Sequence, residues 1–228
     1  MAAVTAPSPP TDITPTSSSF NRIAATSGLV MVGGIIFSLI AVGEMPAADD
    51  DAAAIVDYFT ENSGAHQAGL VAVVLTVIPG FLFLAGLLGP FRRSDREHGE
   101  GWSFAILASM VFANVFASIG VMIDSGLLLS RDVLPDEGTL LAVWDINIAS
   151  AAMLSMGIAG VGLCVGVPVL LHGIRPAWYG WLSLLLAALG LLAIVPAISA
   201  GAGILGLPMF LGFFAWVIAT RVLLYKDA

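Results

Sequence analysis

Along most of the chain, apolar residues run unbroken for about the length that crosses a bilayer, and polar residues gather between the runs. Their approximate limits are Ile23–Val42, His66–Leu88, Trp102–Ile123 with an extension to Leu129, Leu140–Leu171, Trp178–Ala200 and Ile204–Leu224. A helix rises ~1.5 Å per residue, so about 20 residues cross a hydrocarbon core of ~30 Å. Period-two alternation is missing, and an open strand cannot satisfy its backbone in lipid, so the runs predict helices. The fold class that follows is all-α: a polytopic transmembrane bundle of about six spans.

The fourth run is the odd one. Leu140–Leu171 would extend roughly 48 Å as a helix, so it must tilt, kink or project from the membrane. Pro168 near its end offers a bend, as do Pro79, Pro196 and Pro208 elsewhere. Gly162 and Gly166 form a GxxxG pair in the same run, with Gly157 and Gly160 close by. Small residues let helices approach closely in lipid, which marks this span as central and favours a contact within the chain.

The polar connections set the orientation. Arg22, Arg92, Arg93, Arg96, Arg175, Arg221 and Lys226 fall on one side of the predicted bundle, and only Arg131 falls on the other. Basic residues are retained in the cytoplasm, so the N-terminus and the C-terminus are both expected inside. Trp102, Trp178, Tyr179 and Trp181 lie at the inner boundary, where amphipathic rings prefer to sit. The outer loops are acidic. Between the first two spans, Asp49–Ser63 is long enough to form a short surface helix near 49–63, with Asp residues to cap it and Ile55, Val56 and Phe59 on one face. The triplet Asp49 to Asp51 lacks the alternating spacing and glycine of a calcium loop and reads as a solvated acidic patch. Residues 1–21, rich in Ala, Pro, Ser and Thr, read as a disordered tail ahead of a membrane domain over 22–225.

Composition agrees with lipid as the solvent. Of the residues, 58% are hydrophobic and 11% charged, against roughly 25% charged in an ordinary soluble domain. The expected partner is therefore the bilayer, in a multi-pass protein of the cytoplasmic membrane. A protein partner or a second copy stays open. The net charge of −8 and only eight Lys and Arg leave no basic face for nucleic acid.

Cofactor chemistry finds little footing. Cys164 is the only cysteine, so no disulfide, CxxC pair or multi-cysteine metal site is available within the chain. His98 and His172 lie at the inner loops and His66 at the outer edge, which does not suit bis-histidine haem. The literal GxGxxG of Gly201, Gly203 and Gly206 follows an apolar helix rather than a strand and reads as a tight reversal. No HExxH, GxSxG or Walker loop is present, and no nucleophile–base constellation argues for an enzyme. No cofactor and no metal are expected.

Asp124, Asp145 and His66 are the polar residues of most interest. Counted from the cytoplasmic ends of their spans they lie about 33, 39 and 36 Å away, so three helices can present them at a similar height near the outer boundary. Arg131 follows Asp124 by about two turns and could reach either acid, and Asn147 lies close to Asp145. Acids in or near lipid often mark ion or substrate paths, although boundary residues facing outer water are the simpler account. Asn114 and Ser118 lie deeper and are expected to bond across to a neighbouring helix.

One stretch resembles a known group. The Ala-rich segment Ala52-Ala53-Ala54-Ile55-Val56 after the first span, and the inner turn Gly166-Val-Pro168-Val-Leu-Leu171-His172-Gly173-Ile-Arg175-Pro176-Ala-Trp178-Tyr-Gly180-Trp181-Leu-Ser183, are similar to an uncharacterised family of bacterial multi-pass membrane proteins, a domain of unknown function. The resemblance covers 22–225. It implies a bacterial membrane topology and brings no activity or catalytic residues. The functional expectation is a structural or interaction module of the membrane, the alternative being a small proton- or ion-coupled transporter with an outward-facing polar site.

Overall fold

The computed structural model describes residues 18–43, 45–47, 50–61, 63–130, 133, 135–195 and 206–228. The described residues are helical apart from short turns. Helix α1 covers Ser18–Val42, starting ahead of Arg22. The first 17 residues, most of the predicted tail, lie outside the described ones.

Helix α2, Ala52–Thr60, is short and begins at Asp51, whose carboxylate accepts a hydrogen bond from the Ala54 N–H at 3.0 Å. That carboxylate satisfies one orphan donor of the first turn and opposes the helix dipole. Ile55 and Phe59 are fully buried. Both therefore point into the protein, and α2 lies over the bundle as a cover.

Helices α3 (Ser63–Leu75) and α4 (Val77–His98) form one broken span. Pro79 explains the break: it has no N–H to offer the Leu75 carbonyl, and its ring crowds that oxygen. Thr76 closes the turn, with its N–H and its Oγ1 both donating to the Val73 carbonyl, at 3.0 and 2.6 Å. The helix continues ten residues past the predicted Leu88 limit, which puts Arg92, Arg93, Arg96 and His98 on helix rather than loop. Gly99 ends it at φ +70°, a conformation that a side chain would strain.

Helix α5 spans Trp102–Leu129 and α6 spans Glu137–His172. The 36 residues of α6 make a rod of roughly 54 Å. Asp136 caps its start by accepting from Thr139 N–H at 3.1 Å and Thr139 Oγ1 at 2.8 Å. Helix α7 covers Ala177–Leu192 and α8 covers Gly206–Lys226. Residues 196–205 are not described, so the GxGxxG motif apart from Gly206 lies outside the described residues.

The central helix is α6, packed antiparallel between α5 and α7. A Cβ added to Gly157 would stand 2.6 Å from that of Ala113 on α5, and one added to Gly162 would stand 2.5 Å from the Ser183 carbonyl of α7. No real side chain tolerates such distances, so the GxxxG helix face is spent on contacts within the chain. Helix α1 packs on α4 and α8, where Phe83, Trp216 and Val217 join Ala24 and Ala25 in the main core. A second, smaller core lies beneath α2 and holds Ile55, Phe59, Leu70, Leu127, Leu140 and Trp144.

Several elements meet at one end. Asn21 Nδ2 donates to the Asp227 carbonyl at 3.3 Å, and Arg175 pairs with the Asp227 carboxylate. The start of α1, the α6–α7 turn and the chain's C-terminus therefore meet.

Large apolar side chains cover the outside, among them Ile40, Ile78, Phe104 and Met122, each more than 70% exposed. In water such a surface would drive aggregation; lipid accommodates it. Among the described residues, five helical stretches, α1, α3–α4, α5, α6 and α8, are long and apolar enough to cross a membrane. The sixth predicted span is described only as α7, whose 16 residues reach about 24 Å.

Candidate functional site

The outer polar residues converge only in part. On α5, Asp124 sits in the second-last turn and is 9% exposed. Asn147 on α6 donates from Nδ2 to Asp124 Oδ1 at 2.8 Å. Ser150 Oγ donates to the Asn147 carbonyl at 2.7 Å, tying the next turn to the same polar face. Space for the amide comes from Gly120, one turn before Asp124, where an added Cβ would lie 3.2 Å from Asn147 Oδ1. A hydrogen bond to a carboxylate is worth about 1.5–3 kcal/mol, so Asn147 offsets much of what burying the acid costs.

Asp145 does not join. It is exposed, while Trp144 and Asn147, three residues apart and so on one helix face, turn inward. The expected pair of acids is thus one acid and one amide. Arg131 lies outside the described residues.

His66, in the first turns of α3, is 1% exposed. Its ring stands perpendicular to that of Tyr58 with centroids 4.3 Å apart, and lies 5.3 Å from Phe59. Trp144 closes the group, 6.0 Å from both Tyr58 and Phe59. Edge-to-face rings at these spacings attract one another beyond their burial. The polar atoms of the group are less content. Tyr58 Oη, His66 Nε2 and Trp144 Nε1 are all buried without a hydrogen-bond partner. Burial and the neighbouring Asp124 carboxylate together push the Tyr58 phenol far above its ordinary range, so it keeps its proton.

Tyr58 and Trp144 were not among the residues singled out from sequence. Trp144 had a usable signal, since it precedes Asn147 by one helical turn. Tyr58 had none, because its role depends on α2 folding back over α3, α5 and α6.

A second polar group lies at the opposite end. Asp95 accepts from the N–H groups of Trp102 and Ser103, at 2.9 and 2.8 Å, and so caps α5. Glu100 accepts from Trp102 Nε1 at 2.6 Å and lies 2.8 Å from His172 Nε2. His98 stacks on His172 at 4.1 Å. The group clamps the α4–α5 turn to the end of α6. Among the described residues no three His, Cys, Asp or Glu side chains are arranged to hold a metal ion.

Along the outer half of α5 the polar groups turn back on their own helix. Asn114 Nδ2 donates to the Met110 carbonyl at 2.9 Å and Ser118 Oγ to the Asn114 carbonyl at 2.8 Å. The expected bonds to a neighbouring helix are replaced by bonds to the preceding turn, which a short polar side chain reaches more easily.

The chain is an integral, multi-span helical membrane protein by its architecture, and comparison with known proteins finds no match to a protein family, a curated protein or a solved structure.

Proposed function

We propose that the chain is a six-span protein of the cytoplasmic membrane, with both termini in the cytosol, that acts as a structural or interaction module rather than a conduit. The separation of polar groups carries this reading. Asp124, Asn147 and His66 gather at one end and Asp95, Glu100 and His172 at the other, while Asn114, Ser118 and Ser155 between them bond to their own backbones, and the polar pairs of α7 and α8 are uncharged and satisfy one another. A conduit needs polar groups facing one another near the midplane. The basic residues at the end shared by Asn21 and Asp227 support cytosolic termini.

The reading is tested by crosslinking in native membranes, which should recover one reproducible complex, a partner or a second copy. Recovery of the lone chain at every crosslinker length would count against it. Purified protein in sealed vesicles should pass neither protons nor alkali cations above the rate of empty vesicles.

One observation favours a second reading, a small proton- or ion-coupled transporter loaded from outside: Asp124 is a buried acid whose hydrogen-bond partner is a neutral amide. Flux in those vesicles that Asp124→Asn removes, with folding intact, would establish it over the first.

A further inference from the structure

We propose that Asp124, Tyr58, His66 and Trp144 form a covered binding site for a small primary amine that also carries a hydroxyl group, with α2 as its cover. The inference rests on the outer site of the second reading but not on transport.

Buried polar atoms in folded proteins are nearly always paired, and each exception asks for a reason. Here three exceptions share one cluster. Tyr58 Oη, His66 Nε2 and Trp144 Nε1 lack partners, while the rings that carry them touch one another. His66 and Trp144 are each 1% exposed, so solvent at the protein surface does not serve them. Elsewhere in the bundle, buried hydroxyls and indoles are paired, as at Ser183, Thr220 and Trp216. Among the described residues one further buried polar side-chain atom, Arg221 Nε, lacks a partner, so three of the four lie in this one cluster.

The chemistry of the unpaired atoms selects the ligand. Asn147 occupies Asp124 Oδ1, and among the described residues no donor reaches Oδ2 and no cation lies within ion-pair distance. Tyr58 Oη and His66 Nε2 can both accept. A primary ammonium brings one positive charge and three N–H donors, which matches three acceptors. The faces of Tyr58, Phe59 and Trp144 favour a cation over a neutral molecule. Trp144 Nε1–H is a donor only, so it requires an acceptor on the same ligand, and a hydroxyl supplies one. A divalent metal ion would want more carboxylates than one.

The approach also suits a cation. Asp50, Asp51, Asp57 and Glu61 are exposed on and beside α2, and a surface of one sign of charge raises the local concentration of the other. Helix α2 has only nine residues, too few to be stable alone, and Ile55 and Phe59 hold it down. Its displacement opens the ring cluster without disturbing a span.

Ethanolamine is the probe. With the full chain purified in detergent at neutral pH and constant ionic strength, it should raise the thermal unfolding midpoint in a saturable way. Ethylamine, lacking the hydroxyl, should bind several-fold more weakly, and ethylene glycol, lacking the charge, should do nothing. Asp124→Asn keeps the contact with Asn147 and should weaken binding by about 10- to 100-fold. Should that variant fail to fold, Tyr58→Phe and Trp144→Phe carry the test, each expected to lower affinity about threefold to tenfold. An ethanolamine lipid headgroup carries the same chemistry. Lipid discs with and without phosphatidylethanolamine separate the two sources: stabilisation by the lipid alone assigns the headgroup, and stabilisation by the free amine assigns a solute. No response to either, or an equal response in wild type and the variants, overturns the site. Binding without vesicle flux removes the transporter reading and leaves the site standing.

Discussion

Two buried aromatic clusters in this molecule follow opposite rules. Between α7 and α8, Tyr179 Oη meets Thr220 Oγ1 at 2.7 Å, and because Thr220 donates to the Trp216 carbonyl, Tyr179 must be the donor. Trp216 Nε1 donates to Ser183 Oγ at 2.9 Å, and Ser183 donates to the Tyr179 carbonyl at 2.8 Å. Every polar atom of that circuit is used. At α2, the half-buried Tyr58 and the buried His66 and Trp144 beneath it leave Tyr58 Oη, His66 Nε2 and Trp144 Nε1 unused. A closed circuit fixes two helices against each other; an open one leaves capacity for something that is not part of the chain. The first cluster is structural, and the second is where the chain can respond.

Mutations can break or sharpen this contrast. The largest effect belongs to neither cluster but to the α6–α7 contact on which the closed circuit depends. Gly162→Leu puts a side chain into the Ser183 carbonyl and Ala187 backbone, and should abolish recovery of a monodisperse protein in size-exclusion chromatography. Next, Asn147→Leu deprives the Asp124 carboxylate of its donor and should cost about 2–3 kcal/mol in reversible unfolding. The paired tryptophans give the sharpest comparison. Trp216→Phe loses a hydrogen bond and part of a fully buried ring and should cost about 1–2 kcal/mol. Trp144→Phe loses the same part of a buried ring but removes a donor with no partner, so it should cost less than Trp216→Phe by the worth of one hydrogen bond, about 1 kcal/mol. Equal losses at the two positions would erase the distinction between the clusters.

The smallest effect concerns pH. Hydrogen bonds from Thr139 hold the Asp136 carboxyl below its ordinary range. A depressed folded-state value contributes stability above the unfolded value, and that contribution is lost as pH falls through the folded one. The first turn of α6 should therefore fray below about pH 4. Amide exchange at Thr139 should accelerate there relative to the middle of α6, and Asp136→Ala should remove the pH dependence.

Much of the architecture is legible in the sequence, for a simple reason. In lipid an unbroken apolar run has few alternatives to a helix, so the runs that became α1, α5, α6 and α8 read directly. Pro79 likewise marks the bend between α3 and α4, because its missing N–H acts locally. The site is less legible, since it depends on rotation about each helix. Asp145 and Asn147 are two residues apart, and the 100° turn per residue sends one outward and the other toward Asp124. The charge of Asp145 drew attention that the geometry assigns to its neutral neighbour. Asn114 and Ser118 show the same limit at a smaller scale. Whether a short polar side chain bonds across a helix pair or back to its own turn depends on the distance to the neighbour, which the residue type does not encode.

The most direct test of the account asks which side of the membrane the covered cluster faces. Cys164 is the only cysteine, so Cys164→Ala followed by Asp57→Cys places one thiol on the exposed side of α2. A membrane-impermeant maleimide should label that thiol in intact cells. Labelling that requires permeabilised cells would put α2 in the cytosol, reverse the orientation and contradict the outward-facing site.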